Sequence, residues 1–219
     1  MSLATLRSRF DSLLTAINGT SSSNFSTRVE NAYEALVLAR VMTEYHAVYG
    51  TIRSFSFPIH AGFLNQSPGR FFVERSFKIV FASGQTFYFS ADVEIFGLKA
   101  YNIGSPVGIK FEADVVVIPE TAVTDITNIF NGYPAPQHLD SIYECKFGSF
   151  NKGQLRELLG LKRHITFLQR PRHLKPRLFS QQIHNSNPPI AVKMARPTVR
   201  RFLDGATADF YDLEQIIVN

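Results

Sequence analysis

The chain has 219 residues, of which 45% are hydrophobic, and its formal net charge is +5. This length and composition favour one globular domain with a sizeable core and argue against wholesale disorder. The single cysteine, Cys145, excludes a disulfide framework and a zinc site built from several thiolates. The sequence shows no signal peptide and no apolar run long enough to cross a bilayer, so it predicts a cytoplasmic protein without a membrane partner.

Two helical segments open the chain. The first is predicted over about residues 3–17, and a loop rich in Gly, Ser, Thr and Asn follows it. The second is predicted over about residues 27–49, because apolar residues recur there at helical spacing: Val29, Tyr33, Leu36, Val37 and Val41. Glu30 and Glu34 lie four residues apart at the border of this apolar stripe, so they share a face of the helix.

Strand patterns occupy the middle of the chain. Residues 70–82 and 85–96 predict two strands joined at Ser83–Gly84. Between Phe87 and Asp92, large apolar residues alternate with others, which predicts that the second strand is half-buried. Residues 108–118 end in a continuous apolar run, which is typical of a central strand covered on both faces.

A polar connector separates this central strand from the next one. The connector spans residues 119–139 and contains a predicted short helix at about 123–130. A further strand is predicted over 141–147, and a helix over about 151–165 follows it.

The positive charge is concentrated in the second half of the chain. From Lys146 to Arg201 there are thirteen Lys and Arg residues and one acid, Glu157. Binding to a phosphate backbone needs a surface of this kind, so the basic half (residues 146–201) predicts a nucleic-acid partner. A solvated basic face without a partner is the alternative.

Three residues carry the predicted chemistry. Glu144 and Lys146 lie two apart on a strand and therefore point to one face, while Cys145 points to the other. This pair alone fits a structural ion pair equally well. Asp114 opens an apolar run on a strand expected to lie beside that of Glu144, and a buried carboxylate is costly unless it is paired or binds a cation. Two such carboxylates suit Mg²⁺ or Mn²⁺, although an ion pair of Asp114 with Lys146 is the alternative.

The order of elements around these residues resembles the PD-(D/E)xK nuclease superfamily, which has the restriction-endonuclease-like fold. The resemblance covers about residues 27–165 and rests on EADVVV at 112–117, YECK at 143–146 and NKGQLRELL at 151–159. It implies an α/β fold with a central mixed sheet flanked by helices. The sequence departs from the family pattern at Ala113, where the motif has Pro, and in the long connector.

The resemblance also implies a single nuclease domain over residues 1–219. In this domain an N-terminal helix (1–17) precedes the core, and a basic C-terminal lobe (166–219) follows it. The long connector is then a family-specific insertion.

The resemblance assigns roles to the three residues and to their neighbours. Asp114 and Glu144 would bind Mg²⁺ or Mn²⁺, with the Cys145 carbonyl as a further ligand, and Lys146 would be the catalytic lysine. These assignments make the chain a metal-dependent phosphodiester hydrolase.

Two more residues are implied as members of the site. Gln154 is similar to the Gln that some family members place near the metal, and Glu34 is similar to their helix Glu, with Glu30 as the alternative. A plain surface role on a helix explains each of these residues as well.

The implied function is an endonuclease that acts on nucleic acid, with double-stranded DNA as the first choice. A restriction or phage-defence effector is the first setting and DNA repair or recombination the second. Six cations of the basic half are expected to contact the phosphate backbone: Lys152, Arg156, Arg163, Arg170, Arg172 and Arg177. A partner protein that supplies specificity and a homodimer are further expectations. A non-catalytic binding or assembly module that keeps the fold is the alternative.

Overall fold

A computed structural model of the chain describes residues 29–59, 69–146, 176–180 and 214–217, with positions 8, 10–12 and 15 near the N-terminus. The helices are α1 (Val29–Tyr49), α2 (Leu98–Ile103) and α3 (Glu120–Asn128), with 3-10 helices at Val73–Arg75 and Pro136–His138. The strands are β1 (Ile52–Ser56), β2 (Phe77–Phe81), β3 (Thr86–Phe96), β4 (Lys110–Pro119), β5 (Ser141–Lys146), β6 (Pro176–Ser180) and β7 (Glu214–Ile217). None of the helices in this part of the chain is long and apolar enough to cross a bilayer.

The described strands form one sheet, in which each strand lies beside its neighbours in the sequence. β1 to β5 run antiparallel to one another. β6 pairs parallel with β5, and β7 pairs parallel with β6. The predicted α/β class with a mixed sheet is therefore confirmed, and the restriction-endonuclease-like assignment of this sheet stays a prediction.

One face of the sheet packs against α1. The buried residues on this side, the helix-side core, include Tyr33, Leu36, Val41, Met42, Phe77, Phe89, Val115, Val117, Tyr143 and Cys145. The predicted apolar stripe of α1 is thus buried, but so are its other apolar residues from Ala35 to Met42. Phe10 is fully buried and belongs to the same core.

The opposite face packs against the connector. The buried residues on this side, the connector-side core, are Phe71, Tyr88, Val93, Ile95, Ala113, Val116, Ile118, Ile126, Leu139 and Ile142. Ile126 comes from α3 and Leu139 follows the second 3-10 helix, so the connector supplies a layer of the fold. Because β3 is enclosed by both cores, every residue from Phe87 to Val93 is buried, and the predicted half-buried strand is wrong.

Two predicted boundaries also change. Residues 70–76 do not join β2, because Phe71 packs in the connector-side core while the chain turns through the 3-10 helix at Val73–Arg75. The connector helix begins earlier than predicted, at Glu120 directly after Pro119. Pro119 cannot donate a backbone hydrogen bond to a ladder, and its extended backbone suits the residue before a helix.

β3 and β4 extend beyond the strands that flank them. β2 pairs with β3 only as far as Phe89, and β5 pairs with β4 only as far as Val115. Beyond these points, β3 and β4 continue to pair with each other up to Phe96 and Lys110. We call this part, residues 92–96 and 110–114, the ribbon.

The side chain of His138 forms hydrogen bonds to two other residues of the connector. The side chain is 3% exposed, its Nδ1 accepts the backbone N–H of Ala135 at 3.0 Å, and its Nε2 lies 2.5 Å from Oδ2 of Asp125. Since Nδ1 accepts a hydrogen bond, Nε2 carries the hydrogen that is donated to Asp125. His138 is thus a buried histidine with a partner on each ring nitrogen.

We expect His138→Leu to lower the free energy of unfolding at pH 8 by about 2–3 kcal/mol, because a buried backbone N–H loses its acceptor. Burial lowers the pKa of His138, although Asp125 acts in the opposite direction. The unfolded chain therefore binds more protons below about pH 6.5, and the advantage of the wild type over His138→Leu should shrink as the pH falls through this value.

Denaturant unfolding of both proteins between pH 5 and 8 measures this difference. The control is His138→Asn, which keeps an acceptor near the position of Nδ1 and should lose less stability than His138→Leu. A difference between wild type and His138→Leu that does not change with pH would contradict the assignment.

Candidate metal centre

Asp114 and Glu144 lie on neighbouring strands at the point where those strands part. The last pair joins Val115 of β4 to Tyr143 of β5. Continuing this register by one residue places Asp114 opposite Glu144. Both residues are half-buried. The structure thus places the two residues that the sequence predicted as metal ligands at facing positions of neighbouring strands.

A hydrogen bond from a backbone amide fixes the carboxylate of Asp114 at the point where the two strands part. Its Oδ2 accepts the N–H of Cys145 at 2.5 Å, in place of a backbone carbonyl of β4. The side chain therefore completes the ladder where the two strands diverge. Its position is tied to the peptide that joins Glu144 to Cys145.

The faces of β5 separate Glu144 from Cys145. Tyr143 and Cys145 belong to the helix-side core, and Ile142 belongs to the connector-side core. By alternation, Glu144 lies on the connector side of the sheet. Burial raises the pKa of Tyr33 on α1, and the nearby thiol of Cys145 raises it further, which agrees with Cys145 facing this helix.

A third carboxylate, which the sequence analysis did not select, lies in the same row. The pairs Ala91 with Val115 and Val93 with Ala113 make Asp114 the residue opposite Asp92. Asp92, Asp114 and Glu144 therefore occupy successive positions across β3, β4 and β5. The alternating pattern of this strand predicts that Asp92 faces solvent, but the residue is only 8% exposed.

The backbone changes direction at this row. Asp92 has a φ of 51°, in the left-handed region that Asp and Asn adopt more readily than most residues. Before it, the even-numbered Tyr88 faces the connector-side core, whereas after it the odd-numbered Val93 and Ile95 do so. The row of carboxylates thus marks the junction between the sheet and the ribbon.

Burial raises the pKa of Asp92 to about 7, and the charge of Glu112 on β4 raises it as well. An ordinary Asp has a value of 3.8. The carboxylate therefore holds a proton, or requires a positive charge, in the range where most carboxylates are fully ionised.

Other predicted site residues are distributed differently. Glu34 lies half-buried on α1, on the side of the sheet that carries Cys145, opposite to the side of Glu144. Glu30 belongs to the same helix, but its side chain lies outside the described part, as does that of Lys146. That Glu34, or Glu30 in its place, and Lys146 belong to the site stays a prediction.

The remaining predicted residues lie in the second half of the chain. Arg177 is on β6, where its backbone pairs with Tyr143 and Glu214. The others lie outside the described residues: Lys152, Gln154, Arg156, Arg163, Arg170 and Arg172.

The donor set of Asp114 and Glu144 suits a hard cation. Among the described side chains, no three of His, Cys, Asp and Glu lie close enough to hold one metal ion together. Mg²⁺ needs no such cage, because it is commonly bound by one or two carboxylates and keeps several waters. The pair therefore fits Mg²⁺ or Mn²⁺ by its chemistry, with the carbonyl of Cys145 as a predicted further ligand.

Comparison of the chain with protein-family models, with curated proteins and with solved structures gave no match.

Proposed function

We propose that the protein is a divalent-metal-dependent nuclease that hydrolyses phosphodiester bonds in nucleic acid, with double-stranded DNA as the first substrate. The observation that carries this proposal is the position of Asp114, whose carboxylate is bonded to the Cys145 amide and lies opposite Glu144. Two acidic residues at facing positions of neighbouring strands agree with the resemblance to PD-(D/E)xK nucleases. The restriction-endonuclease-like fold is part of the same proposal.

Asp114 and Glu144 would hold the cation. When bound, a divalent cation neutralises charge on the phosphate and favours attack by water at phosphorus. The amide of Cys145 orients the carboxylate of Asp114, and the strand geometry sets the position of Glu144. Lys146, the next even-numbered residue on β5, would stabilise negative charge that develops on the phosphate.

The basic half supports a polyanionic substrate. Thirteen Lys and Arg residues against one acid between positions 146 and 201 would attract a phosphate backbone. The strand of the Glu144–Lys146 motif opens this segment, so the proposed chemistry and the proposed substrate contacts follow one another in the chain. A restriction or phage-defence setting is proposed first, and repair or recombination second.

The proposal is tested by cleavage of plasmid, linear duplex, single-stranded DNA and RNA with Mg²⁺ or Mn²⁺. We expect Lys146→Ala to lower the cleavage rate at least about 100-fold, since electrostatic stabilisation of the transition state is lost. Binding to uncleaved duplex should change little, because the basic half contributes many other cations.

Lys99→Ala is the matched control, since Lys99 is an exposed lysine on α2. Undiminished cleavage by Lys146→Ala would overturn the role of this lysine. A wild-type protein that binds nucleic acid but cuts none of the four substrates would support the second candidate, a binding or assembly module. The charge asymmetry of the basic half favours that candidate equally well.

A further inference from the structure

Arg70 is an exposed arginine whose side chain is held along its length. A Cβ on Gly132 would lie 3.2 Å from Cβ and 3.3 Å from Cδ of Arg70, so the aliphatic stem runs against the backbone of this glycine. Cζ of Arg70 lies over the ring of Tyr133, 5.4 Å from the ring centre. The guanidinium is therefore positioned by the protein itself, without a ligand.

Backbone hydrogen bonds fix the turn that supports this side chain. The carbonyl of Gly132 accepts the N–H of Phe71 at 2.8 Å, and the N–H of Gly132 donates to the carbonyl of Ile126 at 2.8 Å. The φ of Gly132 is 82°, a left-handed value that glycine adopts at little cost. Arg70 and Tyr133 are each the chain neighbour of a residue in this bonded pair, so the backbone sets their relative position.

Lys110 also contacts Tyr133, but an acid neutralises it. Its Nζ lies 3.6 Å from the ring centre of Tyr133 and 2.7 Å from Oε2 of Glu94. Arg70 differs in this respect, because no Asp or Glu in the described part of the chain forms an ion pair with it. In this cluster, Arg70 is therefore the cation whose charge is available to a ligand.

The hydroxyl of Tyr133 is the second polar group beside the guanidinium. Hydrogen bonding from Arg70, and then from Lys110, lowers the pKa of this tyrosine. Because the oxygen accepts bonds from two cations, the hydrogen of the hydroxyl must be donated to some other group. Among the residues that the structure describes, none accepts it. A ligand oxygen beside Arg70 would meet a second donor in this hydroxyl.

We propose that Arg70 and the hydroxyl of Tyr133 bind a phosphodiester group of a nucleic-acid backbone. A guanidinium fork and a hydroxyl are donors that commonly contact phosphate oxygens. The one available positive charge matches the single charge of a phosphodiester, whereas a phosphate monoester carries between about −1.5 and −2. This site lies outside the basic half, and it rests on the nucleic-acid partner of the proposed function but not on catalysis.

The test is the binding of a labelled DNA duplex to the full-length protein, followed by fluorescence anisotropy at a series of salt concentrations. A chelator prevents metal-dependent cleavage. We expect Arg70→Gln to lower the affinity at least about threefold. The slope of log affinity against log salt should become shallower by about 0.9, because one phosphate contact is lost.

Tyr133→Phe tests the hydroxyl alone, since it keeps the aromatic ring. We expect an affinity that is lower by at least about twofold, with the salt slope of the wild type, because a neutral donor is lost and no charge is removed. Wild-type affinity in this variant would overturn the part assigned to the hydroxyl.

Arg53→Gln is the matched control, since Arg53 is an exposed arginine on β1, which β2 separates from β3. It should change neither affinity nor slope. Wild-type affinity and slope in Arg70→Gln would overturn the proposal, and so would weaker binding with an unchanged slope. If Arg70→Gln does not unfold cooperatively, Arg70→Lys decides: it keeps the charge but loses the fork, so it should bind more weakly with the wild-type slope. Unchanged affinity then overturns the site.

Binding and cleavage separate this site from the proposed nuclease function. A wild-type protein that binds the duplex but cleaves no substrate with Mg²⁺ would overturn the nuclease, and a shallower slope in Arg70→Gln would still support the phosphate site. A wild-type protein that cleaves, with an Arg70→Gln variant that binds as the wild type does, would overturn this site alone. A wild-type protein that binds no duplex would also overturn it.

Discussion

Asp114→Asn is expected to lower the rate of metal-dependent cleavage at least about 100-fold while changing the free energy of unfolding by no more than about 1 kcal/mol. The amide oxygen of Asn can still accept the N–H of Cys145, so the divergence of β4 and β5 remains capped. The negative charge that would bind the cation is lost. Initial rates on plasmid DNA with Mg²⁺ and denaturant unfolding of the same preparation measure the two effects.

Asp114→Ala is the informative comparison. It removes the charge and also the acceptor, so the half-buried N–H of Cys145 is left without this partner. We expect it to be equally inactive but less stable than Asp114→Asn by about 1–3 kcal/mol. If Asp114→Asn cleaves at the wild-type rate, Asp114 is not a ligand of the catalytic ion. If the two variants are equally stable, the bond to Cys145 contributes nothing to stability.

Asp92→Asn is expected to stabilise the metal-free protein at pH 8. The pKa of Asp92 is raised from 3.8 to about 7 in the folded protein, mainly by burial. Between these two pH values the folded state binds more protons than the unfolded state, so stability falls as the pH rises. Above pH 7 the whole cost is present. The gain for Asp92→Asn is then about 3–4 kcal/mol, or roughly 10 °C in melting temperature.

Thermal unfolding in the presence of a chelator, between pH 4 and 8, measures this gain. The difference between Asp92→Asn and wild type should fall below about 1 kcal/mol near pH 4, where Asp92 is protonated in the folded state and partly protonated in the unfolded state. Asp92→Ala removes the same charge but is strained at a φ of 51°, so its gain should be smaller by about 1 kcal/mol. An Asn variant that is less stable than the wild type at pH 8 would show that the ionised Asp92 is well accommodated.

The parts of the fold that were predicted correctly depend on local patterns. The continuous apolar run before Pro119 marks β4 as a central strand, and the β2–β3 turn falls at Ser83–Gly84, where Gly84 has a φ of 93°. Asp114 opens that run, and Glu144 lies on the next strand. The order of the strands alone was enough to predict that these two residues lie on neighbouring strands. These features are properties of neighbouring residues, so the sequence alone carries them.

The parts that were missed depend on distant contacts. Asp92 follows an alternating pattern that suits a strand with one wet face, and it is buried because the connector covers that face with residues such as Ile126 and Leu139. β1 was not predicted, since its exposed positions resemble a loop until pairing with β2 holds it at the edge of the sheet. Neither the covering layer nor the edge pairing is a local property of these segments.

The row of carboxylates lies at a boundary in the pairing of β3 and β4. On the sheet side of the row, β2 pairs with β3 from Thr86 to Phe89, and β5 pairs with β4 from Val115 to Val117. On the other side, they are held by each other and, along the outer edge of β3, by two backbone hydrogen bonds with Gly69 and one with Pro134. The backbone pairing of the ribbon therefore depends mainly on the β3–β4 pair, while Val93, Ile95 and Ala113 pack in the connector-side core. Asp92 and Asp114 thus stand where β3 and β4 change from the middle of a wider sheet to a two-stranded arrangement, so a substitution at either residue acts on the boundary between the two parts.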